Sequence, residues 1–144
     1  MFIEPSIRDK VEEFLETAPE NMSQAIGIEF LSFKKDEVKA SMPVNGQTIQ
    51  PFGILHGGAS VALAETVASI GAWLNIDHTI KAAVGIEINA NHIRAVPAPD
   101  VVTGIAVPIQ RGNQIHVWEI SITRGDGKLV CVSRCTLAII DKRQ

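Results

Sequence analysis

The chain has 144 residues, which is long enough for one ordinary domain and too short for two. Apolar residues make up 46% and charged residues 20%, a balance that excludes a disordered or fibrous chain. With 13 basic against 16 acidic residues and no tyrosine, it lacks the positive field and stacking aromatics that nucleic-acid binding requires. We therefore expect a single domain, residues 1–144, that does not bind nucleic acid.

An amphipathic helix is predicted near the N-terminus, at about residues 6–18. Its apolar side chains fall on one helical face, and Ser6 precedes them as a candidate N-cap. The first 20 residues carry six acids and two bases, so they do not resemble the basic start of a signal peptide. Two cysteines, Cys131 and Cys135, are too few for a disulfide framework. These features favour a cytoplasmic protein with reduced thiols.

Two β-rich runs follow, at residues 26–33 and 37–43, and predict a hairpin. The next stretch, 44–56, shows no regular period, and loops of this length in compact domains are usually functional or disordered. Its apolar residues Phe52, Ile54 and Leu55 argue against disorder. It leads into an apolar segment, 57–74, whose single charge is Glu65. Because a carboxylate in the middle of a bilayer is costly, we interpret this segment as a helix buried inside the protein.

Four more strands are predicted after the helix, at 81–95, 101–110, 114–124 and 128–140. The order of elements indicates an α+β fold, with an antiparallel sheet of about six strands wrapped around one long buried helix. A helix that is apolar on nearly every side needs more cover than one sheet provides, so we expect an oligomer.

Glu65 is the first candidate for chemistry, because a lone carboxylate on a buried helix needs either partners or a task. The start of the helix, His56-Gly57-Gly58, is the second, since its backbone N–H groups can hold an anion or a developing oxyanion. Gln50, in the preceding loop, adds a neutral donor. Glu65 and the glycines each have a structural alternative: a carboxylate paired with an arginine or with backbone amides, and close packing at the glycines.

The spacing between these groups adds a constraint. Gly57 and Glu65 lie eight residues apart, which is about 12 Å along a helix. One carbonyl group cannot contact both within hydrogen-bond range. If both act on one substrate, they come from two chains, and the spacing predicts a site shared across a dimer.

The patterns of several other chemistries do not occur in the sequence. It contains no Gly-x-Ser-x-Gly, zinc-ligand spacing, phosphate loop or dinucleotide fingerprint, so we expect neither a metal nor a cofactor. Positive groups come from His92 and Arg94, which alternate onto one strand face, and from the turn Arg111-Gly112-Asn113. Each is commonly a solvated surface group, but together they suit a ligand with phosphates.

Three stretches form a pattern: QPFGILHGGAS at 50–60, AE at 64–65 and GIEINANH at 85–92. On these stretches the chain, from about residue 26 to 139, resembles the hotdog-fold acyl-CoA thioesterases. The resemblance is strongest to the bacterial 1,4-dihydroxy-2-naphthoyl-CoA and enterobactin-pathway proofreading enzymes of the PaaI-like group. The first 20 residues lie outside it.

The resemblance implies hydrolysis of a thioester, often aromatic, carried on coenzyme A, which is then part of the substrate. It makes Glu65 the nucleophile or general base, and Gly57 the N–H donor to the thioester oxygen with help from Gln50 and His56. It assigns Ser69 to the attacking water, Ile70 to the acyl group, and coenzyme A to Gly85, His92, Arg94, Arg111 and Gly112. It also implies a homotetramer built as a dimer of dimers, with no membrane partner.

Two other functions remain open from the sequence. A hotdog dehydratase acting on 3-hydroxyacyl thioesters needs a histidine and an acid at one site, for which His56 is the available histidine. A non-catalytic acyl-CoA-binding protein would keep the coenzyme pocket and show no turnover.

Overall fold

The structure is a computed structural model that describes residues 1–142. Within that range the helices are α1 (Arg8–Thr17), α2 (Met22–Ala25) and α3 (Gly57–Leu74), and a 3₁₀ turn at Pro5–Ile7 precedes α1. The strands are β1 (Phe2–Ile3), β2 (Glu29–Lys34), β3 (Glu37–Val44), β4 (Lys81–His92), β5 (Asp100–Arg111), β6 (Ile115–Arg124) and β7 (Leu129–Asp141). All six strands predicted from the sequence are present, with ends that differ by at most three residues.

The strands form one sheet in the order β1-β2-β3-β5-β6-β7-β4. Neighbouring strands are antiparallel, except that β1 pairs with β2 in parallel. Buried and less buried residues alternate along β3 and β6, as in a sheet with one face on a core. The predicted α+β fold, with a sheet around one long helix, is confirmed, and the two-residue β1 is the strand that the sequence did not indicate.

Helix α3 packs one side against strands β3 to β7. Its buried residues recur three or four positions apart: Ser60, Leu63, Ala64, Val67, Ala68, Gly71, Ala72 and Leu74. Among the described helices, α3 alone is long and apolar enough to cross a membrane, and its packing on the sheet is that of a core helix.

In the single chain the sheet leaves part of α3 uncovered, as we expected from the sequence. The sheet covers one side of the helix, and Glu65, which we expected to be buried, is exposed at the margin of that side, next to β4. The cause is that the sheet is open and contacts the helix from one direction. Within the single chain, Glu65 therefore does not bear the free-energy cost of a buried, unpaired carboxylate that the sequence predicted for it.

The N-terminal helix differs from its prediction at its first turn. The chain makes the 3₁₀ turn before α1 begins at Arg8, so the N-cap position falls on Ile7, which caps with no side-chain hydrogen bond. The predicted N-cap at Ser6 is wrong, because the Ser6 hydroxyl donates instead to the carboxylate of Glu4.

Helix α1 is docked onto the C-terminal end of α3. The Lys10 ammonium donates to the carbonyls of Trp73, in the last turn of α3, and of Ile76, just beyond it, at 2.6 and 2.9 Å. The ring of Phe14 lies 5.3 Å from that of Trp73, and Val11 is fully buried. The N-terminal segment is thus part of the packed structure.

Helix α3 and strand β6 approach each other closely in the core. A methyl group on Gly71 would come within 2.7 Å of the Trp118 ring, which is fully buried.

We predict that Gly71→Ala lowers the free energy of unfolding by about 1–3 kcal/mol through overpacking, although alanine has the better helix propensity by about 1 kcal/mol. Urea denaturation measures this change.

Gly46→Ala is the matched control for that measurement. A methyl group on Gly46 has no heavy atom within 4 Å, so its stability should stay within about 0.5 kcal/mol of the wild type. Equal stability of Gly71→Ala and the wild type would contradict the packing described here.

Candidate active site

The loop at 45–56 is ordered by its own hydrogen bonds, although it has little regular structure. The Thr48 hydroxyl donates to the Pro43 carbonyl at 2.7 Å, and the His56 N–H donates to the Thr48 carbonyl at 2.8 Å. The Gln50 N–H donates to the Ile54 carbonyl at 2.9 Å, closing a tight turn. These bonds fix Gln50 and His56 at the N-terminal end of α3.

The side chain of Gln50 is held in one orientation. Its oxygen accepts a hydrogen bond from the Phe52 N–H at 2.6 Å, so its NH₂ group remains as a donor. Gln50 lines a pocket of about 320 Å³ together with Gly57, His92 and Arg94. The structure therefore brings four of the predicted site residues to one place.

The first residues of α3 present a second donor at that pocket. His56 is the N-cap, and its Nδ1 accepts from the Gly58 N–H at 2.8 Å, so a neutral His56 carries its proton on Nε2. The Gly57 N–H has no acceptor within residues 1–142. A methyl group on Gly57 would come within 2.9 Å of His92 Nε2, which shows how closely that ring approaches the helix end.

Glu65 lies outside this pocket, about 12 Å further along the same helix. Its carboxylate lies against β4, where a methyl group on Gly85 would come within 2.6 Å of Oε1, next to a bulge between Gly85 and Glu87. Ser69 is one turn further on the same face.

Burial, followed by the charges of Glu65 and Glu87, raises the pKa of Cys135 to about 11, so this thiol is not a nucleophile at neutral pH.

Arg111 and Gly112 lie at the opposite end of α3 from His92. The Arg111 guanidinium donates to Asn75 Oδ1 at 3.0 Å and to the Lys35 carbonyl at 3.2 Å, and Asn75 is the C-cap of α3. Both predicted residues line a second pocket of about 540 Å³ with His116. Burial, and then the charge of Arg111, lowers the pKa of His116, which keeps that imidazole neutral at pH 7.

In one chain, the predicted site residues thus form separate groups along α3. Since the 18-residue helix is about 27 Å long, a small group bound at one end does not reach the other. Gly85, predicted to contact coenzyme A, lies with Glu65 and not with His92 or Arg111. Asn75, which holds Arg111, was not among the predicted site residues. Its position directly after the apolar helix could have indicated a residue that caps the helix end.

A comparison with protein families matches residues 52–131 to the thioesterase superfamily. The chain belongs to this superfamily. The 1,4-dihydroxy-2-naphthoyl-CoA hydrolase of Listeria monocytogenes is 45% identical over 123 residues, which cover 85% of this chain and 98% of that protein. The enzyme is thus a thioester hydrolase, as predicted from the sequence.

Solved structures of thioesterases have the same fold. A Pseudomonas aeruginosa thioesterase, crystallised with a glutamine replaced by alanine, has a TM-score of 0.85 and 39% identity, covering 91% of this chain and 94% of that one. A Staphylococcus aureus thioesterase variant has a TM-score of 0.82 and 39% identity, covering 85% and 100%. The two S. aureus variants replace a glutamine and a glutamate fifteen positions apart, the separation between Gln50 and Glu65 here. The predicted hotdog thioesterase fold is confirmed.

Proposed function

We propose that the enzyme hydrolyses an aromatic or related acyl-CoA thioester to the free acid and coenzyme A. The observation that carries the proposal is the unpaired Gly57 N–H beside the oriented amide of Gln50, on the helix that also bears Glu65. Donors for a developing oxyanion and a base for water are what thioester hydrolysis requires. The Listeria and Escherichia coli relatives named 1,4-dihydroxy-2-naphthoyl-CoA hydrolase support an aromatic acyl group.

In the proposed reaction, the thioester oxygen accepts hydrogen bonds from Gly57, Gln50 and the Nε2–H of His56. Glu65 takes a proton from a water molecule placed with the help of Ser69, and the water oxygen bonds to the carbonyl carbon. The C–S bond then breaks, and the proton passes to the leaving thiolate. If Glu65 attacks as nucleophile instead, it forms an anhydride that water hydrolyses to the same products.

The proposal includes a site shared between two chains whose α3 helices run antiparallel. A two-fold axis near Val61 would set Gly57 of one chain beside the partner's Glu65, which removes the separation of about 12 Å. The face that would meet its copy carries small side chains, including Gly58 and Ala62, neither of which is buried in the single chain. Small residues allow two helices to approach closely.

Strand β4 supports the same pairing. It ends the sheet, so one edge of this 12-residue strand is unpaired within residues 1–142. Two of its large apolar side chains, Val84 and Ile86, are exposed by 42% and 59%. A long apolar edge of this kind is a template for another strand, and a second β4 would continue the sheet.

Coenzyme A binding is proposed on the same arrangement. Antiparallel helices turn the N-terminal end of one α3, with His92 and Arg94, toward the partner's half of the site, which includes the partner's Arg111 and the partner's Gly112. Two cationic groups from different chains would then face the phosphates of one coenzyme.

Ile70, one turn beyond Thr66, would contact the acyl group.

The wider assembly is also a proposal. The outer face of β5 exposes Val101 and Val107, an apolar surface that a second dimer would cover to give the homotetramer. We place this enzyme in the cytoplasm, with no metal and no cofactor other than the coenzyme A of its substrate.

Thiol release from acyl-CoA tests the reaction. We expect the wild type to release thiol from benzoyl-CoA and Glu65→Ala to lose about 10²–10⁴-fold of this turnover, with fold and assembly unchanged. Half or more of the wild-type turnover in a folded Glu65→Ala protein would contradict the assignment. A dehydratase would instead hydrate crotonyl-CoA without releasing thiol, and a binding protein would turn over neither compound.

Gly85→Ala tests the position of the Glu65 carboxylate. The added methyl group would displace Oε1, the end of a flexible side chain, so we expect normal folding but roughly 10- to 100-fold lower kcat. Steady-state kinetics and thermal melting measure the two effects. Gly46→Ala is the control and should keep wild-type kinetics. An unchanged kcat in Gly85→Ala would show that the carboxylate need not lie where the structure has it.

Co-expression tests the shared site. Glu65→Ala and Gln50→Ala chains are each expected to be nearly inactive, but random pairing makes about half of the dimers mixed, with one intact site in each. Roughly a quarter of all sites should then be active. If tag pull-down confirms mixing and activity stays at the average of the two parents, each site is built within one chain.

A further inference from the structure

A groove of about 460 Å³ lies on α3 beside Glu65. Its floor is formed by Thr66 and Ile70, each of which directly follows a residue of the Glu65–Ser69 face on the helix. Its walls come from α1, α2 and the start of β2. The lining residues include Phe14, Leu15, Gln24, Glu29 and Phe30.

The position of the groove follows from helix geometry. Successive residues on an α-helix are turned by about 100°, and residues four apart lie above one another. The row formed by Thr66 and Ile70 therefore runs parallel to the row formed by Glu65 and Ser69. A group attached to a carbonyl at Glu65 enters the groove by passing one helical row sideways, away from β4.

The walls of the groove are firmly placed. The Phe30 ring packs on the buried Phe33 with centroids 4.8 Å apart, and Phe14 is held by Trp73. Lys10 ties α1 to the end of α3 through two hydrogen bonds. Helix α2 has a complete capping box between Asn21 and Gln24. The N-terminal segment is therefore a fixed wall.

We propose that residues 1–28 form the outer wall of the acyl pocket and that Leu15 limits the size of the acyl group. The inference rests on the proposed thioester hydrolysis at Glu65. The volume lies within the range of ordinary small-molecule sites, and its aromatic and aliphatic lining suits an apolar ring system or chain. Glu29 at the rim disfavours an acyl group that ends in a carboxylate.

Leu15→Trp tests the inference by adding bulk to the wall. We expect at least a tenfold loss of kcat/KM for 2-naphthoyl-CoA and less than a twofold change for acetyl-CoA, which does not reach Leu15. Glu16→Trp, an exposed neighbour on α1 that does not line the groove, should change neither value. Leu15→Ala enlarges the groove and should raise the ratio of kcat/KM for 2-naphthoyl-CoA to that for acetyl-CoA. This variant tests the inference if Leu15→Trp does not fold.

The outcomes separate this inference from the function on which it rests. A wild type that hydrolyses no acyl-CoA refutes the proposed function, and calorimetric binding of the two acyl-CoA compounds to the same variants then tests the groove alone. Equal effects of the Leu15 variants on both compounds, in either readout, overturn the inference. So does a smaller assembly for Leu15→Trp in light scattering, because the groove would then be a contact between subunits.

Discussion

Trp118 of β6 packs its ring onto the backbone of α3 at Gly71, and Leu63 of α3 fills the space that Gly104 of β5 leaves open. These two contacts interlock the helix with the sheet, because a methyl group has no room at Gly71 and only a tight fit at Gly104. They fix the rotation of α3 about its own axis. Every group placed on the helix depends on this rotation, since a turn of one residue would move the whole exposed face by about 100°.

The fixed rotation determines what the outer face of the helix presents. Glu65 points away from the core, over the bulge in β4, while Thr66 and Ile70 face the N-terminal segment. The start of the same helix presents an unpaired N–H to the pocket of Gln50 and His92. The core therefore arranges three separate surfaces by means of one rigid element.

The elements of the fold were predictable because their patterns are local. The alternation along β3, the apolar run of α3 and the glycine turns indicated the strands and the helix to within three residues. Two local predictions were wrong for physical reasons. Ser6 bonds to Glu4 instead of capping α1, and Glu65 is exposed because periodicity does not say how far a sheet curves around a helix.

The site was predictable as a set of residues but not as an arrangement. Spacing along one helix was enough to show that Gly57 and Glu65 of the same chain lie too far apart to contact one carbonyl group. Sequence did not show that Gly85 contacts Glu65, or that Asn75 holds Arg111, because both contacts join residues 20 or more positions apart. The groove under α1 was missed for the same reason.

The hydrogen bond from the Phe52 N–H to the Gln50 oxygen has a consequence for selectivity. A glutamine amide that rotates without constraint can turn either its oxygen or its nitrogen toward a ligand, and so binds proton donors and acceptors alike. Here the loop blocks that rotation, so the Gln50 side chain offers only its N–H groups to the pocket that it lines. At this position the amide therefore favours a carbonyl oxygen over a hydroxyl donor. The entropy of orienting the amide is lost once, during folding, and not again in each turnover.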